Sequence, residues 1–447
     1  MYGLMILVFV LGYTAIALEH PLRIDKAATA LITGVICWTI FVLGVGDIIP
    51  VSEPLQAAGL ESMDASGISH FIEHSLLEHL SEIASILFFL LGAMTIVELV
   101  DSHEGFAVIT DRIKTTKKSK LLWIIALITF FFSAALDNLT TSIVMVSLLR
   151  KLVADKETRW IYAGMVVIAA NAGGAWSPIG DVTTTMLWIG GQLTTGTILS
   201  ALIIPSIVAV VVPVTILSLR MKGNVERPLR TNTMEHFTNP TTPFERNLIF
   251  AVGVAGLLFV PVFKTYTHLP PFMGMMLSLG VLWVVTEIIH RSKNSEDKSH
   301  LSVIGVLKKI DTASVLFFLG ILLAVSALQS AGHLKELAEI LNNSVGDIYV
   351  INIIIGFLSA IVDNVPLVAA SMGMYDLSTF GTDHVFWQFL AFCAGTGGSA
   401  LIIGSAAGVA VMGLEKIDFI WYIKKISLLA IIGYLAGAIT YIALQSL

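Results

Sequence analysis

Apolar stretches close to the about 20 residues that a helix needs to cross a bilayer follow one another along most of the chain. Short polar segments separate them, and uninterrupted stretches of this length favour helices over the strands of a barrel. We therefore predict an all-α integral membrane protein. The candidate spans lie at about 4–18, 27–45, 83–100, 160–190, 197–219, 247–263, 271–290, 312–331, 385–413 and 419–445.

A polar segment over residues 221–246 divides these spans into two sets of about five. It contains Arg227-Pro228 and Asn239-Pro240, and its prolines interrupt helix periodicity as a linker would. The sequence thus predicts a first half over residues 1–220, a cytoplasmic linker over 221–246 and a second half over 247–447.

A carboxylate and an amide interrupt an otherwise apolar stretch once in each half. The first half reads Ser133-Ala-Ala-Leu-Asp137-Asn138, and the second reads Ser359-Ala-Ile-Val-Asp363-Asn364. An ionisable side chain at membrane depth is costly, and by default it belongs to a substrate or ion pathway. The repeated pair therefore predicts a transporter with one such element in each half.

The charges that flank the two motifs predict opposite orientations. Lys and Arg at 114–120 and 150–151 flank the first motif, whereas acidic residues such as Asp376 follow the second. Short loops rich in Lys and Arg stay in the cytoplasm, so we expect an inward-opening re-entrant hairpin over 121–152 and an outward-opening one over 346–375. Two inverted-topology repeats follow, with a substrate site near the membrane midplane.

Each half also contains a glycine-rich interruption in a later span. Gly173-Gly174 and Pro178 lie in the span over 160–190, and Gly397-Gly398 lie in the span over 385–413. Proline removes a helix donor and glycine permits unwinding, so both spans should break in mid-membrane. Irregular backbone at that depth is tolerated only when it is buried or lines a cavity. Freed carbonyls and nearby polar side chains would then supply oxygen ligands for a hard cation.

Polar side chains of the hairpin tips and the breaks form the candidate cation- and proton-binding site. The second half has fewer carboxylates, because Ser405 takes the place of Asp181. Burial favours the protonated form of a carboxyl group and a bound cation favours the ionised form, so such a site should exchange one for the other, which is antiport. The candidate cation ligands are Asp137, Asn138, Asn171 and Asp181. The wider candidate set adds Thr141, Thr183, Thr184, Ser359, Asp363, Asn364, Thr396 and Ser399.

These residues also have structural interpretations. A buried Asp can bind a neighbouring helix, glycine pairs are frequent in membrane helices for packing, and Ser and Thr hydroxyls often bond to their own helix. Glu98 and Asp101 end the third span, where they either cap the helix at the cytoplasmic surface or form part of a proton pathway.

Composition supports the membrane assignment and argues against other classes. Of the 447 residues, 56% are hydrophobic and 13% are charged, and the mean hydropathy is +0.86. The net charge of −6, without a basic tract interleaved with aromatic residues, predicts no nucleic-acid partner. Cys37 and Cys393 lie singly in apolar segments and predict neither a disulfide framework nor a zinc site. The lipid bilayer is the expected surrounding, and we expect no cofactor.

Three segments resemble the NhaD-type sodium/proton antiporters, a family of the ion transporter superfamily. They are the Asp137-Asn138 hairpin, the break Asn171-Ala-Gly-Gly-Ala-Trp-Ser-Pro-Ile-Gly-Asp181-Val-Thr-Thr184 and the opening Ala17-Leu-Glu-His-Pro21 with Lys26-Ala-Ala-Thr29. The resemblance implies exchange of Na⁺ or Li⁺ for H⁺, with Na⁺ at the four candidate cation ligands, in a bacterial inner membrane or an organelle derived from one. It also implies a homodimer and an elevator-type mechanism, in which hairpins and broken spans move against the first three spans of each half.

Two other functions compete with antiport. The first is a carrier of the same superfamily for arsenite or a di- or tricarboxylate, coupled to Na⁺ or H⁺. Its carboxylate carriers have Ser-Asn-Thr at both hairpin tips, where this chain has Asp-Asn, and a buried Asp would repel a bound carboxylate. The second is a membrane enzyme or a subunit of a respiratory complex. The chain has neither an H-E-x-x-H motif nor a phosphate-binding loop, so we do not expect an enzyme.

Overall fold

The protein is helical throughout the part that the structure describes. The computed structural model covers residues 1–52, 55–56, 59–60, 63–110, 113–228, 241–294 and 301–446, so residues 229–240 of the predicted linker lie outside it. Within these ranges, eight helices are long and apolar enough to cross a membrane, or nine if one bent pair counts as a span. The β-structure there is limited to an isolated bridge between Lys117 and Asn224. The prediction of an all-α, multi-pass membrane protein is confirmed.

The helices of eight or more residues follow the predicted order, with α12 as an addition, and shorter ones such as Glu19–Leu22, Val303–Leu307 and Phe419–Tyr422 lie between them. In the first half they are α1 (Tyr2–Ala17), α2 (Lys26–Ile48), α3 (Ala65–Ser102), α4 (Lys118–Leu136), α5 (Asn138–Leu152), α6 (Lys156–Ala175), α7 (Val182–Ile189) and α8 (Thr195–Arg220). In the second half they are α9 (Pro243–Thr267), α10 (Pro271–Ile289), α11 (Thr312–Ser330), α12 (His333–Ser344), α13 (Ile348–Leu358), α14 (Asn364–Met374), α15 (Val385–Gly397), α16 (Ala406–Glu415) and α17 (Leu428–Gln445).

Two elements differ from the sequence-based expectation. The third span was expected over 83–100, but α3 is one continuous helix of 38 residues, about 57 Å long and nearly twice the hydrocarbon thickness. No span or hairpin arm was predicted over α12, and the axes of α12 and α13 differ by 119°. Polar residues continue α3 beyond its apolar part, whereas α12 is a separate helix of mixed polar and apolar residues that a search for apolar length does not detect.

The broken spans α6 and α15 lie at the centre of the molecule. Every residue from Tyr162 to Ala175 in α6 and from Phe386 to Gly397 in α15 is buried. α6 contacts α4, α5, α15 and α16, while α15 also contacts α13 and α17. Large apolar side chains on outer helices, such as Leu43 and Leu219, are exposed instead, as expected for a surface that faces lipid.

The hairpin and the broken span of each half meet through corresponding contacts. Ser133 Oγ donates to the Ala170 carbonyl at 2.5 Å in the first half, and Ser359 Oγ donates to the Ala394 carbonyl at 2.8 Å in the second. The hairpin helices α4 and α13 are thus fastened in the same way to α6 and α15.

Paired glycines make these approaches possible. Gly173 lies so close to the Phe130 carbonyl that an added Cβ would overlap it, and Gly397 lies equally close to the Gly356 carbonyl. Small residues allow such close packing of membrane helices. The two halves are therefore built alike around their breaks, while the opposite orientation of the two halves in the membrane stays a prediction.

Candidate functional site

Polar residues cap the four half-helices that begin at the breaks. Each cap accepts a hydrogen bond from a backbone N–H in the first helical turn, a donor that would otherwise lack a partner in hydrocarbon. Helix N-termini carry partial positive charge, which the carboxylate caps offset. The pairs are Asp137 with Thr140 N at 2.7 Å, Asp181 with Thr183 N at 2.9 Å, Asp363 with Val365 N at 3.3 Å and Ser405 with Gly408 N at 3.2 Å.

Asp181 lies in the middle of a buried hydrogen-bond network, with 1% of its surface exposed. Its Oδ1 accepts from the backbone N–H and the hydroxyl of Thr183, at 2.9 and 2.8 Å. Its Oδ2 accepts from Asn138 Nδ2 at 2.7 Å. These donors are neutral, so the network gives the carboxylate no cationic partner within the described part of the chain.

Asn171 extends this network into the second half. Its Oδ1 accepts from Asn138 Nδ2 at 3.2 Å, and its own Nδ2 donates to Ser399 Oγ at 3.0 Å and to Ser405 Oγ at 2.9 Å. The side chain joins the first hairpin, the first broken span and the second broken span. The predicted site residues that the structure brings together here are Asn138, Asn171, Asp181, Thr183 and Ser399.

Asp137 lies beside this network rather than in it. Its carboxylate accepts from the backbone N–H and the hydroxyl of Thr140, at 2.7 and 2.8 Å. Its backbone has φ of 102°, which is rare for a residue other than glycine and costs on the order of 1–3 kcal/mol. The hairpin tip is thus strained, and its carboxylate points to the helix end that it caps.

The remaining hydroxyls of the candidate set divide into two kinds. Thr396 Oγ1 donates to the Phe392 carbonyl of its own helix at 2.5 Å, and Thr184 Oγ1 donates across the break to the Ala175 carbonyl at 3.4 Å. Thr141 is fully buried, and its hydroxyl has no hydrogen-bond partner among the described residues. The Thr141 hydroxyl is therefore the member of this set whose hydrogen-bonding capacity is unused in the described structure.

In the second half, Asp363 and Asn364 stand apart from the network. Asn364 is buried, and Asp363 forms an ion pair with Lys26 of α2, whose Nζ lies 3.7 Å from its Oδ2. The two halves therefore differ in charge at their hairpin tips, because only the second tip has a cationic partner among the residues described.

Glu98 and Asp101 line a cavity of about 400 Å³ that reaches the hairpin tip. Thr140, which binds Asp137, lines the same cavity, as do Lys26 and Lys309. Glu98 lies 3.9 Å from Lys309 Nζ. The two carboxylates thus lie near the end of α3 and also border a path to the hairpin tip.

Sequence reasoning missed Ser405 and Lys26 as members of the site. Ser405 could have been included, because it occupies the position of Asp181 in the second half. Lys26 belongs to the opening segment that resembles the antiporter family, but a basic residue at the start of a span is common, and this position alone does not mark a site residue. Across the described residues, no three or more His, Cys, Asp and Glu side chains group together to hold a metal ion, so the oxygen atoms gathered here come mostly from amides and hydroxyls.

Comparison with known proteins finds a matching family model and several similar proteins. The family model described as a citrate transporter, CitMHS, matches residues 7–392. Sodium/proton antiporter 1 of Arabidopsis thaliana is 48% identical over 445 residues, which cover 99% of this chain and 72% of that protein. Sodium/proton antiporter 2 of the same plant is 45% identical over 450 residues, which cover 99% of both chains. The Na⁺/H⁺ antiporter NhaD of Vibrio cholerae is 28% identical over 473 residues, which cover 98% of this chain and 91% of that protein.

Proposed function

Because the chain belongs to the NhaD-type sodium/proton antiporter family and also matches the citrate transporter family model, we propose that it exchanges Na⁺ or Li⁺ for H⁺ across its membrane. It is a transporter and not an enzyme. The observation that carries the proposal is Asp181, a buried carboxylate whose only partners in the described structure are neutral donors.

The chemistry of this carboxylate supports exchange. A buried carboxylate without a cationic partner is costly, and either a proton or a bound cation removes that cost. The two ligands therefore compete for one group. Binding of Na⁺ displaces the proton, and protonation releases the Na⁺.

The amides of Asn138 and Asn171 are suited to both states. An amide can present its NH₂ group to a carboxylate or its oxygen to a cation. In the structure Asn138 presents its NH₂ group to Asp181. Asn171 already presents its oxygen to Asn138, so rotation of the Asn138 amide alone would bring the oxygens of Asp181, Asn138 and Asn171 together around Na⁺. The Thr141 hydroxyl, one turn further along α5 and without a hydrogen-bond partner among the described residues, would add a further oxygen ligand. Hard cations prefer such ligands.

The citrate description of the family model favours one competing function, transport of an anion. A tricarboxylate placed at this site would face the Asp181 carboxylate, and like charges in a poorly solvated site repel strongly. The site residues on the described helices offer amides and hydroxyls but no arginine or lysine in the Asp181 network. We therefore favour a cation as the substrate.

Alternating access would proceed by relative movement of two parts. The moving part would contain the hairpins and the broken spans, α4–α7 and α13–α16, and the stationary part would contain α1–α3 and α9–α11. The cavity beside Glu98 and Asp101 lies between the two parts and would lead protons and cations from the cytoplasm to the hairpin tip. We propose that the two halves act as inverted repeats, that the protein forms a homodimer and that the movement is of the elevator type.

The membrane in which the protein works is proposed from its relatives. They come from a plant and from a bacterium, which agrees with a bacterial inner membrane or with the membrane of an organelle of bacterial origin. The bacterial inner membrane stays our prediction.

Transport by the purified protein in liposomes tests the proposed function. With an acidic interior and a pH-sensitive dye inside, external NaCl or LiCl should raise the internal pH, while choline chloride should not. Citrate should neither move nor alter the Na⁺ response. Citrate uptake without any Na⁺-dependent proton movement would instead support the anion carrier.

A further inference from the structure

An ion pair connects α2 to the tip of the second hairpin. Lys26 is the first residue of α2, and Asp363 is the cap of α14. Lys26 Nζ lies 3.7 Å from Asp363 Oδ2 and 4.5 Å from the centre of the Phe317 ring on α11. Two helices of the proposed stationary part thus hold an ammonium group against the hairpin tip.

The pair distinguishes Asp363 from the other two carboxylates at the breaks. Asp181 receives hydrogen bonds from Asn138 and Thr183, and Asp137 receives them from Thr140, all of them neutral donors. The side chains of Lys26 and Asp363 are 24% and 17% exposed, so water screens their attraction only in part.

We propose that Lys26 is a built-in counter-cation, whose ammonium group fills the place beside Asp363 that a transported cation would otherwise occupy. The inference rests on the proposed function, because it assigns different roles in Na⁺/H⁺ exchange to the carboxylates of the two halves. Na⁺ that binds beside Asp363 would have to displace the Lys26 ammonium group, whereas no lysine or arginine of the described structure competes with Na⁺ for Asp181. Na⁺ therefore binds in the first half, and Asp363 holds the hairpin tip against α2.

The surroundings of Lys26 allow this contact to break and to form again. Lys26 lines the cavity of about 400 Å³ together with Glu19 and Asp25, and it also lines a smaller cavity of about 70 Å³ with Tyr13 and Asp363. When the hairpin tip moves away, the two nearby carboxylates can take over as partners of the ammonium group. Lys26 is thus a positioning residue, and it acts on transport through Asp363.

The test is a double-variant cycle on the full chain in liposomes, with Na⁺-dependent proton movement measured over a range of Na⁺ concentrations. Lys26→Gln and Asp363→Asn should each slow exchange by about tenfold, with the apparent KM for Na⁺ changed by less than about twofold. Lys26→Arg keeps the charge and should retain most of the rate. The double variant should be at least about threefold faster than either single variant, because removing both charges leaves neither one uncompensated.

Lys425→Gln is the matched control for loss of a lysine. Lys425 pairs with Glu157 at 3.9 Å on the surface, where both side chains are more than half exposed, and this variant should exchange at the rate of the natural protein. A rise of more than about tenfold in the apparent KM for Na⁺ in Asp363→Asn, without a similar fall in rate in Lys26→Gln, would overturn the proposal. Such a result would indicate that Asp363 binds Na⁺ directly.

Thermal unfolding of the purified variants separates this inference from the proposed function. Lys26→Gln and Asp363→Asn should have non-additive effects on the unfolding temperature if the pair forms, and additive effects would overturn the proposal. If a single variant does not fold, the apparent KM for Na⁺ is measured in Lys26→Arg instead. An unchanged KM would support the proposal that Lys26 is a counter-cation, and a raised KM would contradict it. Absence of Na⁺-dependent proton movement in the natural protein would reject the proposed function, whereas the unfolding cycle would still report on the pair.

Discussion

Replacement of Asn171 by alanine should weaken Na⁺ binding as well as stability. The amide makes three hydrogen bonds, accepting one from Asn138 and donating to Ser399 and Ser405. A buried hydrogen bond contributes about 1 kcal/mol net, so the folded protein should lose about 3 kcal/mol. These bonds also position the oxygens around Asp181, and the apparent KM for Na⁺ should rise at least about tenfold, equivalent to about 1.4 kcal/mol of binding free energy.

Asn352→Ala is the matched control for this variant. Asn352 is equally buried, and its Nδ2 donates to the Ile348 carbonyl at 2.9 Å and to the Phe386 carbonyl at 3.4 Å, outside the network. It should lower the unfolding temperature in detergent but leave the apparent KM for Na⁺ unchanged in liposomes. If Asn171→Ala also left this KM unchanged, Asn171 would serve only to hold the broken spans together.

Two further predictions concern packing and pH. Gly173→Ala should prevent α6 from approaching the Phe130 carbonyl and should lower both expression and exchange, whereas Gly413→Ala, where an added Cβ would meet open space, should have little effect on either. Burial lowers the pKa of His103, just beyond α3, so the unfolded chain takes up a proton more readily than the folded one. Thermal stability should therefore fall as the pH drops below about 6.5. The unfolding temperature of His103→Gln should depend less on pH in this range. The same dependence in both proteins would contradict the role given to His103.

Much of the fold could be predicted because membrane helices depend on apolar length. The breaks in the spans were also predictable, since Pro178 and the glycine pairs disfavour regular helix and the polar residues around them recur in both halves. The start of α3 and the presence of α12 were not, because polar residues extend α3 beyond its apolar part and make up much of α12, and apolar length alone detects neither.

The candidate site was predictable in its residues more than in its connections. Asn138, Asn171 and Asp181 could be selected because amides and carboxylates are rare in apolar spans. The grouping of Ser405 with Asn171 and of Lys26 with Asp363 depends on contacts between elements more than 200 residues apart, 234 residues in the first case. Without a known packing arrangement, no local pattern determines such contacts. The carboxylate of Asp137 caps α5, and its part in binding Na⁺ stays a prediction.

The central claim is that Na⁺ and H⁺ compete for the Asp181 carboxylate, and a single substitution tests it most directly. Asp181→Asn keeps a side-chain oxygen that can cap α7 but removes the group that both ions need. Asp155→Asn makes the same chemical change at an exposed cap, where Asp155 accepts from Thr158 N at 2.8 Å. In liposomes, Asp181→Asn should reduce Na⁺-dependent proton movement by at least about 100-fold, while Asp155→Asn should exchange normally. Normal exchange by a folded Asp181→Asn protein would contradict the account.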